Sequence, residues 1–415
     1  MSKRLEATFR GRVLRPGDGD YDTQRAAVNP GLDARPVLVA EAAGPRDVQA
    51  AVTWARTTGV PLAVQATGHG THVPSDGALL LKTSRMAGVL VDPDRRAARA
   101  GPGTRWAEVI TAAAPFGLAP LSGTAPGVGV AGYTLGGGFG QLSRAFGLAA
   151  ESLVRADVVT ADGSLVTVSR ERHPELFWAL RGGGGNFGVV TSLEFRLHPV
   201  AEVYAGVARF PVERAAEFLA RYRDWAPTAP DELSTGVLLG QGRTFTVKVL
   251  HIGDGAAARR ALRPLWSEPV HEELRAVAYA DVKLPALPPF GFGLFDTLPD
   301  PVIDGIVVAE TQVEIKQWGG ALARPVADAG PAGHPTAQFS VSGPGAAEAI
   351  GRRGNGGSFL NFLHDPAAVR TAFTPESFRR LRAVKRAYDP DNVFHVNLNI
   401  RPEGERDDDR DYRPA

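Results

Sequence analysis

The sequence predicts an α+β fold, with alternating strands and helices in its first half and an antiparallel sheet flanked by helices in its second. Three observations carry that prediction. Apolar runs of strand length alternate with amphipathic helical patterns through residues 1–200. Beyond residue 200 the β-rich runs follow one another, and two helical patterns lie beside them. Glycine-rich loops fall between the elements of the first half, at 66–70, 123–140 and 182–188.

Taken in order, "ARPVLVAEA" (34–42) reads as a short buried strand and "GPRDVQAAVTWARTTG" (44–59) as a helix. Pro45 stands near the helix start, Val48, Ala51, Val52 and Ala55 form one apolar face, and Gly59 follows the end. "VPLAVQA", "ALLLKTS" and "AGVLVDPDRRAARAGPGT" supply further strands, and "RWAEVITAAAPFG" a second helix. The segment 153–169 is a hairpin turning at Asp162-Gly163, and 173–200 runs from a short helix through a glycine-rich turn into a strand. In the second half, "VYAGVARF", "LSTGVLLG", "TFTVKVLHIG", "GIVVAETQVEIKQ" and "AQFSVSG" are the expected strands. "VERAAEFLARYRDWA" and "GAAARRALRPLW" are the helices beside them. The Pro- and Phe-rich stretch 283–305 reads as an irregular loop, 375–390 as a late amphipathic helix, and the charged tail 404–415 as solvated chain.

Composition narrows the function. A chain of 415 residues exceeds one ordinary core of roughly 100–200 residues, so two domains or one composite unit are expected. A net charge of +1 gives no broad basic field for nucleic acid or anionic lipid. The absence of cysteine excludes disulfides, thiolate nucleophiles and cysteine-ligated metal or iron–sulfur sites. The opening "MSKRLEATFRG" lacks the apolar core of a signal peptide and no run reaches membrane-spanning length, so a cytoplasmic protein is expected. Oligomeric state is left open.

The glycines need a reason. "GVGVAG" (127–132) fits G-x-G-x-x-G with Glu151 about 20 residues on, as a dinucleotide fingerprint asks. That fingerprint needs a strand entering and a helix leaving. Pro120 and Pro126 interrupt the approach, and the glycine-laden "YTLGGGFGQLS" is a poor helix start, so a Rossmann unit is not expected. "RGGGGNFG" (181–188) runs from helix to strand, the wrong order for phosphate at a helix N-terminus. Three such loops within 125 residues either make tight turns or bring bare backbone against one large bound cofactor; their number favours the cofactor. The first of them, "QATGHGTHVPSDG" (65–77), holds two of only nine histidines, His69 and His72. These could bond loop backbone, ligate a metal or meet the bound group. No carboxylate pattern completes a metal site, and none is assigned.

Several stretches, in this order, resemble the FAD-binding domain of the berberine-bridge-enzyme-like oxidoreductases, flavoproteins of the vanillyl-alcohol-oxidase (PCMH) type. They are "RPGDGDYD", "RPVLVAEAAGPRDVQAAVTWAR", "VQATGHG", "DGALLLKTSRMAGVLVDP", "SGTAPGVGVAGYTLGGGFGQLSRAFGLAAESL" and "ELFWALRGGGGNFGVVTSLEFRLHP". "QWGGAL" and "FLNFLHD…YDPDNVFHVNLNIRP" resemble the family's C-terminal part. The resemblance implies a PCMH-type FAD-binding domain of two α/β subdomains over 1–200, to which 380–415 returns, and a substrate domain over 201–379. It implies FAD as cofactor. His69 matches the histidine bonded to the flavin's 8α methyl, and Ala125 stands where the family's second anchor, a cysteine, would be. Ala66, Thr67, Gly68, His69 and Gly70 would receive the pyrophosphate. Thr124, Gly129 and Gly132 would lie along the ribityl chain and ring, Gly188 and Val190 near adenine, and Asn397 and Asn399 on the returning segment, with Leu398 where relatives have glutamine. Tyr133, where relatives often have histidine, either orients the flavin or packs as an ordinary aromatic.

The implied reaction is hydride transfer from a small, secondary-metabolite-like substrate to flavin, with reoxidation by oxygen. Many relatives carry a tyrosine base two residues before the asparagine of "FLNF"; here it is Phe359. A phenyl ring takes no proton, so Tyr133, Tyr279 and His334 become the catalytic candidates, the last two with a structural role as the alternative. The missing tyrosine also admits a second reading, a flavoprotein catalysing a redox-neutral cyclisation or rearrangement.

Overall fold

The computed structural model describes residues 3–404 apart from 30, 289, 310, 325, 327, 347–349 and 351–352. The charged tail from 405 onward lies outside the described residues. Three sheets organise the chain. The first has the order β1-β2-β4-β3, with β1 at Arg12–Leu14, β2 at Leu38–Glu41, β3 at Leu62–Gln65 and β4 at Leu79–Lys82. Strands β2, β4 and β3 are parallel, and β1 is antiparallel to β2. The helix Pro45–Thr58 makes the crossover from β2 to β3. It starts with Pro in its first turn, stops at Gly59 in the left-handed region (φ 70°), and buries Val48, Ala51, Val52 and Ala55. Removing each valine from water stabilises the pair of layers by roughly 1.5–3 kcal/mol. Parallel neighbours β3 and β4 also need a long connection, which is usually a helix. Here the loop 66–78 makes it without one, so its backbone groups stay available to something outside the sheet.

The second sheet, β5-β6-β9-β7-β8, is antiparallel throughout. It comprises β5 (Val89–Asp92), β6 (Ala97–Ala100), β7 (Leu153–Val159), β8 (Leu165–Ser169) and β9 (Val189–Arg196). The β7–β8 turn places Gly163 at φ 85°. Between β6 and β7 run the helix Trp106–Ala113 and a glycine-rich excursion. That excursion corrects one expectation, because a short helix, Val130–Leu135, does begin at Gly129. Burial of Val130, Ala131, Tyr133, Thr134 and Leu135 outweighs the cost of one internal glycine. No strand enters it: the approach contributes only an isolated bridge, Arg105 to Gly129.

The third sheet has seven antiparallel strands in the order β13-β10-β12-β11-β15-β16-β14. They are β10 (Glu202–Pro211), β11 (Leu233–Leu239), β12 (Thr244–His251), β13 (His271–Ala278), β14 (Gly293–Phe295), β15 (Val313–Gln317) and β16 (Phe339–Ser342). The helices Ala215–Trp225, Gly255–Leu262 and Asp300–Val307 share a core with one face. Alternation separates the faces: Leu233, Val237 and Leu239 of β11 join that core, while Ser234 and Gly236 face a hollow on the other side. Two expectations need correction here. Strand β13 was not foreseen. The stretch 283–305 holds β14 and most of the helix Asp300–Val307, which also takes the "GIV" expected to open β15. Pro301 near the helix start and buried Val302, Ile303 and Ile306 decide for the helix.

After the helix Pro375–Tyr388 the chain crosses back to the first half. Phe394 enters the core of the first sheet, and Val396 packs on a cluster holding Tyr21, Val39 and Leu80. Among the described residues no helix is long and apolar enough to cross a membrane.

Candidate flavin site

The two halves enclose a cavity of about 590 Å³, bounded by the loop after β3, the excursion around the helix Val130–Leu135, the turn 184–186, the segment 360–362 and the returning strand of chain 396–398. Its walls are made of close backbone approaches. Gly68 sits at φ 82°, which lets the loop reverse over Gln65. Gly129 lies so close to Thr67 that a Cβ there would come within 2.6 Å of the hydroxyl, so this crossing of two loops requires glycine. Two asparagines tie the wall together. Asn361 accepts from Gly138 N (2.8 Å) and donates to Tyr133 O (3.2 Å). Asn186 donates to Leu398 O (3.1 Å) and accepts from Ile400 N (2.9 Å).

Ala66, Thr67, Gly68, His69, Gly70, Thr124, Gly129, Gly132, Tyr133 and Asn397 all line this one cavity. Gly188, Val190 and Asn399 do not. Gly188 backs onto Val158 and Val159, and Val190 belongs to the core of the second sheet. Tyr279 and His334 are not brought to the wall either, so the geometry gives neither a reacting group to touch. Tyr279 is buried with its hydroxyl 3.0 Å from Ser122 Oγ, and burial pushes its pKa up to about 12. His334 lies beside Gly357, outside the lining, and burial lowers its pKa. Phe359 packs edge-on to Trp318 and is likewise absent from the lining. The sequence reading missed Asn186, Asn361 and Lys316 as wall residues.

Tyr133 offers a specific clue. Burial, reinforced by Tyr279, raises its pKa well above 10, so the hydroxyl keeps its proton, yet it has no hydrogen-bond partner in the protein. Asn397 Oδ1 on the same wall is also buried and unpartnered. Buried polar atoms without a partner need an explanation, and a group bound in the cavity would supply one for these two. His69 is exposed to the cavity. His72 is half-buried with its ring 4.2 Å from that of His364. Desolvation, helped by His364 and His69, pulls His72 down to about 4, and desolvation does the same to His198.

These two imidazoles make a pH prediction. In the unfolded chain they take up protons below about pH 6.5, but in the fold only near pH 4. The unfolded state therefore binds more protons between those values. Stability present above the upper value is lost as pH falls toward the lower one. Thermal unfolding at pH 7.5 and 5 should show a smaller loss in a His72→Gln, His198→Gln double variant than in the wild type; equal losses would contradict the assignment.

Residues 36–169 match the family model described as an FAD binding domain, and 358–401 match the model described as berberine and berberine like. Together the two matched segments are those of a berberine-bridge-enzyme-like FAD-linked oxidoreductase. Over 97% of its length it is 29% identical to the whole of (R)-6-hydroxynicotine oxidase of Paenarthrobacter nicotinovorans. Its fold is similar to the crystal structure of 6-hydroxy-D-nicotine oxidase from Arthrobacter nicotinovorans, with TM-score 0.83, 26% identity, and coverage of 97% of this chain and 100% of that one. It also has the fold of glucooligosaccharide oxidase from Acremonium strictum, a protein with a 6-S-cysteinyl, 8α-N1-histidyl FAD (TM-score 0.84, 23% identity, 97% and 99% coverage). The α+β expectation holds, and the enzyme is an FAD-linked oxidase whose cofactor is FAD.

The cavity residues fit that cofactor. The bare backbone of 66–70 and Gly129 and Gly132 would lie along it, and Tyr133 and Asn397 would offer it their unpartnered polar atoms. Among the described residues no group of three or more His, Asp or Glu is placed to hold a metal ion.

Proposed function

We propose that this enzyme oxidises a small, secondary-metabolite-like molecule by hydride transfer, that oxygen reoxidises the flavin, and that FAD is held by one covalent bond, to His69. The observation that carries the reading is the position of His69, exposed on the cavity wall directly after the Gly68 reversal, with Ala125 and no cysteine on the same wall. Bound FAD supplies a two-electron acceptor for hydride from a C–H beside oxygen or nitrogen. The protein supplies enclosure and orientation. Loops 66–70 and 123–139 exclude water from one side, and Asn361 fixes the excursion against the C-terminal segment. The Tyr133 hydroxyl keeps its proton at a fixed point on the wall and acts as a donor rather than a base. We further propose a discontinuous FAD domain, about residues 1–200 with the chain after 380, and a substrate domain between; the placement of Phe394 and Val396 supports it.

The test needs no substrate. Holoenzyme reduced anaerobically with dithionite and mixed with aerated buffer should regain its visible flavin band within seconds and release hydrogen peroxide. Reoxidation over many minutes would overturn the oxygen-using reading. NADH and NADPH at micromolar levels should leave the band unbleached, because residues of all three glycine-rich loops are taken up in the wall of the cavity read as the FAD site. Rapid stoichiometric bleaching by either would contradict this.

A further inference from the structure

The cavity face of the seven-stranded sheet carries a charged cluster that the FAD-holding residues do not involve. Lys248 on β12 and Lys316 on β15 flank the same residue of the intervening strand, Gly236. The stem of Lys248 lies over that glycine, where a Cβ would come within 2.9 Å of its Cε, and so reaches across β11 to pair with Glu314. Glu314 is fully buried; its Oε1 receives Lys248, and its Oε2 accepts from Leu287 N at 3.1 Å. Burial would raise this carboxyl, but the two ammonium groups and these hydrogen bonds hold it below its ordinary value. The one carboxylate of the cluster is thus committed. Lys316 Nζ reaches its Oε2 only at 3.5 Å and lies 5.4 Å from the centre of the Phe362 ring.

Burial lowers the pKa of Lys248 and Glu314 opposes that; the two together form a neutral pair, so Lys316 brings the surplus positive charge, in a largely enclosed place, since its side chain is 18% exposed. Lys316 faces both the large cavity and an adjoining hollow of about 60 Å³, and among the described residues no Asp or Glu lines either. Around it the walls are apolar, with Phe139, Leu250, Leu284 and Phe362. A shielded cation with a weak partner gains most from an anion brought in by a ligand. Resting on the reading that this cavity holds FAD and a substrate beside it, we propose that the substrate is a carboxylate with an apolar body, and that Lys316 binds its charge. Among common organic oxygen acids a carboxylate is fully ionised at neutral pH, whereas a simple phenol, with pKa about 10, is not.

The experiment uses purified holoenzyme and matched pairs in which the acid is replaced by its amide: benzoate and benzamide, phenylacetate and phenylacetamide, cinnamate and cinnamamide. Affinities are read by calorimetry, and flavin content from the absorbance of the same samples. Colourless protein would therefore sink the FAD reading while the charge preference is still measured. At least one acid should bind about tenfold or more tightly than its amide, the scale of one charge-assisted hydrogen bond. That preference should fall to about twofold or less in Lys316→Met and Lys316→Gln, and persist in Lys316→Arg. If no acid outbinds its amide in the wild type, the proposal fails, whatever the variants do. It also fails if the preference survives in Lys316→Met, or if that variant leaves the preference intact and alters only the visible spectrum of the ligand-free enzyme, since Lys316 would then serve the flavin.

Discussion

Replacing Asp389 by alanine should destabilise the fold by about 3–5 kcal/mol, the cost of leaving a buried charge without its partner. Asp389 and Lys385 form an ion pair of 2.6 Å at the end of the helix Pro375–Tyr388, and both side chains are fully buried. The carboxylate also accepts from Val393 N (2.7 Å) and Phe394 N (3.0 Å), and the ammonium donates to Asn186 O (2.8 Å). One side chain therefore turns the chain out of the helix and toward the first sheet, where Phe394 packs and Asn397 reaches the cavity. Alanine removes the acceptors and leaves the ammonium with carbonyl partners but without its counter-charge. The check is chemical denaturation, with Lys385→Met, Asp389→Leu beside the single variant. Removing both charges should cost less than removing one, because no uncompensated charge remains. A single variant as stable as the wild type would contradict this account. Since the same turn carries Asn397, Asp389→Ala should also weaken retention of the cofactor wall.

The second large effect concerns the cofactor itself. His69→Ala should release all of its flavin on denaturation and turn over more slowly, whereas His72→Ala should keep the flavin on the protein. The two histidines share a loop but not an environment. His69 is exposed to the cavity, while His72 is half-buried against His364 and neutral down to about pH 4. Both border the cavity; His69, the more exposed of the two, is the one assigned to present a ring nitrogen to a bound group. Attachment restrains the flavin and draws electron density from it, making it a better hydride acceptor. Flavin content of protein precipitated in acid, compared across the two variants, reads the difference. Retention in His69→Ala, or loss in His72→Ala, would reverse the assignment.

Much of this was legible in the residues because the signals were local. The helix Pro45–Thr58 announced itself through Pro45, the spacing of Val48, Ala51, Val52 and Ala55, and the stop at Gly59. The β7–β8 hairpin followed from Asp162-Gly163. The glycine loops stood out by their number, and residues of all three line one cavity together with ten of the proposed cofactor residues. What stayed hidden depends on the fold. Strand β13 is an edge strand bearing His271, Glu272, Glu273 and Arg275, with none of the buried alternation that marks an inner strand. The helix Val130–Leu135 is short and follows glycines, and tertiary burial makes it. Lys316 reaches the cavity through the pairing of β15 with β11, and Asn361 through hydrogen bonds to residues more than 200 positions away. Neither pairing leaves a mark on the local sequence. Tyr279 and His334 were the reverse case, reactive residue types that the fold places behind the wall.

The central claim is that one histidine carries the flavin, and intact-mass measurement of the wild-type protein after acid precipitation tests it most directly. The account predicts a yellow precipitate whose mass exceeds the sequence mass by one FAD less the two hydrogens, one from the imidazole and one from the 8α methyl, that pass to oxygen when the bond forms, with the added mass on the peptide containing His69. A colourless precipitate at the sequence mass, with all the flavin in the supernatant, would contradict it.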